Sequence, residues 1–396
     1  MRSDLAPGAW LRLTAVAAAA ATLLAVVSGA LALGTAHRVL AALTLPPLLA
    51  LLVAGRLAQP RLLPAAGSAV VLFGCAALVT SDGLHLALAA SAFAASLIAA
   101  ATSFRGEPAP AGRIRDYVTL TKPRIMTLLL LTGAAGMVVG ARGWPGTGAF
   151  AAAMGGLALA CGGASALNHV LDRDIDRLMG KRTDRRPVAS GRVPPSRALE
   201  FGLTLSAFSF VLLAGTVNVL TAALALAGNL FYVLVYTRWL KRSTPQNIVI
   251  GGAAGAVPPL VGWAAATGNL TLPALALFAI VFFWTPPHFW ALALLIRREY
   301  AAARVPMLPV VRGERETTRQ IVLYTLALIA VSASPFAAGT LGLGYLVAAL
   351  ALGAVFLGLA LRLQRHATRG RAGVLFHYSL LYLALLFVAM AADAAL

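Results

Sequence analysis

Residues 168–187 read Asn168-His169-Val170-Leu171-Asp172-Arg173-Asp174-Ile175-Asp176, then Arg177-Leu178-Met179, then Gly180-Lys181-Arg182-Thr183-Asp184-Arg185-Arg186-Pro187. The 396-residue chain holds only 13 Asp and Glu, yet Asp172, Asp174, Asp176 and Asp184 crowd into this stretch. On a helix, residues spaced by four share a stripe, so Asn168, Asp172 and Asp176 present an amide oxygen and two carboxylates in one direction. Like charges at that spacing repel unless a cation sits between them. Hard oxygen ligands of this kind suit Mg²⁺, which keeps several waters and shares itself with a substrate phosphate. The basic residues that follow complement a diphosphate, Arg as a planar fork and Lys as a point charge. A solvated basic loop would account for those cations equally well. It would not account for the acidic stripe.

Outward from this centre the chain is 60% apolar and 11% charged, with a mean hydropathy of +0.84. A soluble chain is nearer half apolar and a quarter charged. A soluble enzyme, a disordered chain and a disulfide scaffold are therefore excluded. Cutting at charge clusters and turn residues leaves about thirteen long apolar runs, near 10–33, 39–57, 62–80, 85–104, 120–140, 147–170, 197–215, 218–237, 246–266, 271–296, 317–337, 341–361 and 373–392. Their length fits spanning helices, not the short alternating strands of a barrel. With the N-terminus inside and the C-terminus outside, all but Arg38 and Arg142 of the 32 Lys and Arg residues fall on the inner side. That asymmetry explains the net charge of +19 without invoking nucleic acid. The expected fold is an all-α polytopic membrane protein. A Pro- and Gly-rich stretch at 105–116 divides a four-helix bundle, 1–105, from a nine-helix domain, 106–396. The first run is read as a retained helix because it is too long for a cleaved signal. Cys75 and Cys161, each within an apolar run, are expected to be small buried side chains.

Two further polar clusters interrupt the apolar runs. One is Tyr236-Thr237-Arg238-Trp239-Leu240-Lys241-Arg242; the other is Trp284-Thr285-Pro286-Pro287-His288-Phe289-Trp290, followed by Arg297-Arg298-Glu299-Tyr300. A proline pair within a span removes backbone donors and bends the helix. A histidine inside a span is a functional candidate, with packing against a neighbouring helix as the alternative.

The Asn-x-x-x-Asp-x-x-x-Asp pattern with its basic loop resembles the first signature of the UbiA superfamily of intramembrane prenyltransferases. Leu120-Thr121-Lys122-Pro123-Arg124-Ile125, the run 236–268, WTPPHFWALAL (284–294) and VPMLPVV (305–311) resemble its protohaem IX farnesyltransferase, or haem O synthase, branch. The resemblance covers about residues 115–396. It implies that farnesyl diphosphate and haem B are joined to give haem O and diphosphate, for terminal oxidase haem synthesis. It implies Mg²⁺ held by Asn168, Asp172 and Asp176, and phosphate oxygens gripped by Lys122, Arg124, Lys181, Arg182, Arg186, Tyr236, Lys241 and Arg242. His288, Trp284 and Trp290 would line the haem pocket, with Tyr232, Phe283 and Phe289 as further apolar walls. The family carries a pair of acids before the tyrosine of its second signature. Here Arg298 stands in the first place, so only Glu299 remains for a second Mg²⁺, bound weakly or through water.

The phrases around His37 and His85 resemble half of a haem A synthase, in which a four-helix bundle sets two histidines on one haem. That implies a haem b on His37 and His85, although Gly34 stands where that family has a glutamate. The setting implied is a bacterial-type plasma membrane, with haem A synthase or terminal oxidase assembly factors as partners. Two alternatives remain: a sister prenyltransferase with a quinone-type acceptor, and a secondary transporter. A transporter would place its ions near the midplane, often within inverted repeats. Here the acids gather at one face and no halves match.

Overall fold

The computed structural model describes residues 7–30, 35–58, 62–78, 82–103, 112–180 and 183–396. Gly34, Lys181, Arg182 and most of the boundary stretch 105–116 lie outside the described residues. The first four helices are α1 (Pro7–Ala30), α2 (Thr35–Ala58), α3 (Leu63–Leu78) and α4 (Asp82–Ser103). A short α5 (Ile114–Leu120) precedes α6 (Pro123–Ala141), α7 (Thr147–Leu171), a short α8 (Arg173–Leu178) and α9 (Pro195–Thr216). Then comes α10 (Val219–Leu230), which runs on as a π-helical segment, Phe231–Leu240, into the turn α11 (Lys241–Ser243). Next are α12 (Asn247–Thr267), α13 (Leu272–Leu295), α14 (Arg297–Ala302) and α15 (Leu308–Val311). The chain closes with α16 (Gly313–Ser332), α17 (Ser334–Ala337), α18 (Leu343–Arg365) and α19 (Arg369–Ala395).

Among the described residues, 10 helices are long and apolar enough to cross a membrane, and all but His37–Leu57 lie beyond residue 122. These match the nine runs read between 120 and 392. In the N-terminal part, Leu11–Val26 and Ala65–Ala76 are shorter apolar helices, so the count of thirteen is not reached on described residues. The protein is a multi-pass, all-helical membrane protein.

Small residues set the helix spacing. A Cβ at Gly262 of α12 would overlap the carbonyl oxygen of Gly133 in α6, so the two backbones touch. Pro123 opens α6 at its first turn, where a missing N–H costs nothing. α13 runs through Pro286 and Pro287 without ending. The four-helix part packs on the rest: Phe93 meets Phe210 edge to face at 6.2 Å, and Val26, Ala76 and Ala89 share a core with Leu157 and Leu213. The cysteine expectation fails, because Cys75 is exposed and Cys161 only half-buried. When the solvent is lipid, an apolar thiol gains little by turning inward.

Candidate active site

The site is built where helices end. Ser165 of α7 donates to the Leu120 carbonyl at 2.6 Å, tying α7 to the turn after α5. At that turn Lys122 adopts a left-handed backbone (φ 50°), a conformation costing a non-glycine residue about 1–2 kcal/mol. The strain is matched by a contact: Lys122 Nζ donates to Asn168 Oδ1 at 2.8 Å. Asn168 Nδ2 donates in turn to Asp172 Oδ2 at 2.8 Å and to Thr237 Oγ1 at 3.1 Å.

α7 ends at Leu171, yet the helical ladder is not lost. Asp172 N–H donates to the Asn168 carbonyl and Asp176 N–H to the Asp172 carbonyl, both at 2.8 Å. The predicted stripe therefore survives the break. Asp172 and Asp176 are each only 1% exposed, whereas the Asp174 side chain is 59% exposed on the other side. Arg242 grips both oxygens of Asp174 at 2.7 Å and the Leu171 carbonyl at 2.6 Å, clamping the helix end from outside. Its hydrogen bonds hold the Asp174 carboxyl down at about 2.

Cations cover the buried acids. Lys241 Nζ donates to Asp172 Oδ2 at 2.5 Å, and Arg186 Nη1 to Asp176 Oδ1 at 2.7 Å. Each carboxylate keeps one further oxygen, Asp172 Oδ1 and Asp176 Oδ2, buried without a hydrogen-bond partner. Burial raises the Asp176 carboxyl above its usual range even with Arg186 beside it. Burial of the ammonium, aided by repulsion from Arg186 and Lys241, pushes Lys122 down to about 7. Two carboxylate oxygens left bare inside a shell of cations fit a divalent ion better than they fit a finished salt-bridge network. No group of three His, Cys, Asp or Glu able to hold a metal occurs among the described residues. Such a site would leave most of the ion's positions to water and phosphate, as Mg²⁺ prefers.

The other expected residues divide into those near this centre and those apart from it. Tyr236 stacks on Tyr232 at 5.5 Å, and Gly251 admits its ring, since a Cβ there would overlap it. Arg124 is exposed on the first turn of α6, and Arg298 is exposed on α14 beside a half-buried Glu299. His288 and Trp284 form a separate aromatic nest on α13: their rings stack at 4.4 Å, and Phe376 of α19 covers His288 at 4.8 Å. Trp290 is buried against Tyr324, with its indole N–H unpaired. In the N-terminal bundle, the His37 and His85 rings lie 5.8 Å apart at 79°. They face a cavity of about 240 Å³ whose other walls include Ala25, Ala41, Ala76 and Ala89. His85 Nδ1 donates to the Ala76 carbonyl at 2.7 Å, which leaves Nε2 as the free lone pair.

Sequence reasoning passed over His169, Thr237 and Ser379. His169 is 1% exposed with both ring nitrogens unpartnered, next to Asn168. Its place one residue after Asn168 and three before Asp172 was the available signal. Thr237 and Ser379 carried no signal, since one hydroxyl in an apolar helix looks like any other.

The UbiA prenyltransferase family model matches residues 129–389. The protoheme IX farnesyltransferase of Symbiobacterium thermophilum is 55% identical over 282 residues, covering 71% of this chain and 94% of that protein. The proteins of that name from Roseiflexus sp. and Thermus thermophilus are 54% and 55% identical, but only 52% and 46% of their lengths are covered. The chain thus spans about half the length of those curated relatives. Among solved structures, a digeranylgeranylglyceryl phosphate synthase superposes with a TM-score of 0.60 at 16% identity, over 71% of this chain and 98% of that one. A UbiA homolog from Archaeoglobus fulgidus, bound to GPP and Mg²⁺, gives 0.52 at 16% identity, over 69% and 99%. Such distant structures speak to the fold alone. With the helices, the acidic stripe and the match over 129–389 in agreement, the chain belongs to the UbiA prenyltransferase family.

Proposed function

We propose that this protein transfers the farnesyl group of farnesyl diphosphate to a vinyl group of haem B, giving haem O and diphosphate. The observation that carries this reading is the 55% identity with a protoheme IX farnesyltransferase of which 94% is covered. The site's chemistry supports it. Asn168, Asp172 and Asp176 would hold Mg²⁺, and Glu299 would bind a second ion only weakly or through water. When bound, the ion supplies positive charge to the departing diphosphate. Lys122, Lys241 and Arg186 sit on the acid cluster and would turn to phosphate oxygens as substrate arrives. Arg124, Lys181, Arg182, Tyr236 and Arg242 would complete the grip. The C1–O bond of the farnesyl diphosphate breaks with its electron pair leaving on diphosphate. The vinyl carbon forms the new C–C bond, and water adds to the resulting cation as hydroxyl, losing a proton. Tyr232, Phe283, Trp284, Phe289 and Trp290 would keep water away until that C–C bond exists. Incubating the purified chain with haem B, farnesyl diphosphate and Mg²⁺ should yield haem O by mass spectrometry. Product with a quinone-type acceptor but none with haem would overturn the acceptor assignment.

We further propose that residues 1–105 form a distinct bundle ahead of the prenyltransferase domain, 106–396, with haem b held between His37 and His85. Two neutral imidazoles facing one another are a suitable axial pair. The cavity of about 240 Å³ is smaller than the ~300–1,000 Å³ of ordinary small-ligand sites, so the alanine-lined helices would have to part. The protein would lie in a bacterial-type plasma membrane with its N-terminus and acidic site inside and its C-terminus outside. Haem A synthase or oxidase assembly factors would take the product.

A further inference from the structure

His288 lies seven residues before the end of α13, about 10 Å into the helix, and is only 7% exposed. Three aromatic rings hold it: Trp284 and Phe376 stack against it at 4.4 and 4.8 Å, and Phe289 meets it edge-on at 5.1 Å. Its Nδ1 lies 2.7 Å from Ser379 Oγ. The Ser379 hydroxyl has one proton, which it donates to the Phe376 carbonyl at 2.6 Å. With its proton there, the serine oxygen accepts and Nδ1 carries the hydrogen, a tautomer assigned from this pairing. In a neutral ring the lone pair is then on Nε2, which has no hydrogen-bond partner among the described residues. Ser379 is itself fixed, because Trp284 Nε1 donates to its backbone carbonyl at 2.7 Å. A ring held flat, with its tautomer set by a hydrogen bond to the far nitrogen and a bare lone pair on the near one, is how proteins prepare an imidazole to bind a metal.

We propose that His288 Nε2 binds the iron of the haem acceptor and that Ser379 is the positioning residue that keeps Nε2 free of its proton. This rests on the reading of haem as the acceptor. Binding through iron would set the porphyrin's height in the bundle and so bring its vinyl edge toward the acid end of the site. It would also make the enzyme prefer a metallated porphyrin over the free base.

The test uses the full chain in detergent with His37→Ala and His85→Ala, so that the only haem bound is the acceptor. Titration with haem B should give an imidazole-ligated absorption and resonance Raman signature. His288→Asn, whose amide can still reach Ser379, should lose that signature and bind haem more weakly. Its affinity for metal-free protoporphyrin should not change, and added imidazole should restore ligation. Ser379→Ala should weaken iron binding about 10- to 100-fold, as loss of an outer hydrogen bond to a ligating histidine does, and Ser379→Thr should recover it. If the His288→Asn chain keeps both signature and affinity while the native chain still makes haem O, His288 is a packing residue and the inference is overturned, with the acceptor reading intact. If the native chain makes no haem O at all, the acceptor reading falls and takes this inference with it.

Discussion

Two places in this chain bring polar side chains together inside apolar helices, and they are held in opposite ways. At the acid end, Lys122, Asn168, Asp172 and Lys241 form one hydrogen-bonded line from the turn before α6 through the end of α7 to α11, with Arg186 on Asp176 beside it. In the N-terminal bundle, His37 and His85 meet ring to ring among alanines, with the Ala76 carbonyl as the anchor of His85. The contrast follows from charge. An ionised group buried in a bundle must be paired, and removing one partner of such a pair typically costs about 3–5 kcal/mol. A neutral imidazole needs one acceptor for its single N–H and tolerates an apolar wall elsewhere. The first place should therefore be intolerant of substitution and the second permissive.

The largest break in that comparison should come from Asp172→Asn or Asp176→Asn. Each removes a charge from the pair whose bare oxygens fit the metal. Turnover should fall more than about a hundredfold, equivalent to about 3 kcal/mol or more of transition-state stabilisation. Steady-state rates at saturating Mg²⁺, with membrane insertion checked in parallel, decide it. Wild-type rates in both variants would remove the metal assignment.

His169→Phe should separate stability from activity at the same end. A buried ring with two unpartnered nitrogens costs about 1–3 kcal/mol, and phenylalanine, though larger, has nothing to leave unpaired. Thermal unfolding in detergent should shift upward, while turnover drops on the order of tenfold as a donor beside Asn168 is lost. A fall in both would show that the ring has a structural partner.

How much of this could be read beforehand depends on what carries the signal. The Asn168/Asp172/Asp176 stripe was legible because acids are scarce in this chain and helical spacing is rigid. The nine apolar helices beyond residue 122 were legible because basic loops punctuate them. Lys122 was named as a phosphate ligand, but its left-handed backbone and its bond to Asn168 belong to a turn that no periodicity reports. Asp174 lies in the same acidic stretch but off that stripe. It is the outer clamp for Arg242, because a residue two along from Asp172 faces the opposite side of the helix. The Ser379 bond to His288 joins residues 91 apart in sequence, a pairing set by helix packing and invisible to local pattern.

Arg298→Glu should have a smaller effect. Arg298 is exposed, and its neighbour Glu299 is half-buried without belonging, among the described residues, to a three-residue metal group. A carboxylate there would stand beside Glu299 and give a two-acid site able to share a cation. Turnover should change less than about threefold, under 1 kcal/mol, and the Mg²⁺ concentration for half-maximal rate should fall. A severe loss at saturating Mg²⁺ would show instead that Arg298 itself holds the diphosphate.

The smallest effect on turnover should come from the bundle histidines, although their effect on colour should be complete. His37 begins the span that runs to Leu57, and His85 sits in the first turns of α4. In the orientation proposed from the loop charges, both helix starts would lie on the outer side, about 30 Å across the hydrocarbon core from the acidic site. At that distance neither ring touches the reacting carbon or the diphosphate. If they hold haem b, the native chain purified with haem should show a six-coordinate spectrum in addition to the acceptor's signal. His37→Ala or His85→Ala should abolish that added component, because one imidazole cannot provide both axial ligands. Farnesyl transfer should fall far less than in Asp172→Asn, since α4 still packs on α9 through Phe93 and Phe210 and the prenyltransferase helices keep their support. A double variant that binds as much haem as the native chain would make the two histidines interfacial caps. The contrast between the two sites would then lie between a catalytic centre and a docking surface, not between two ligand-binding sites.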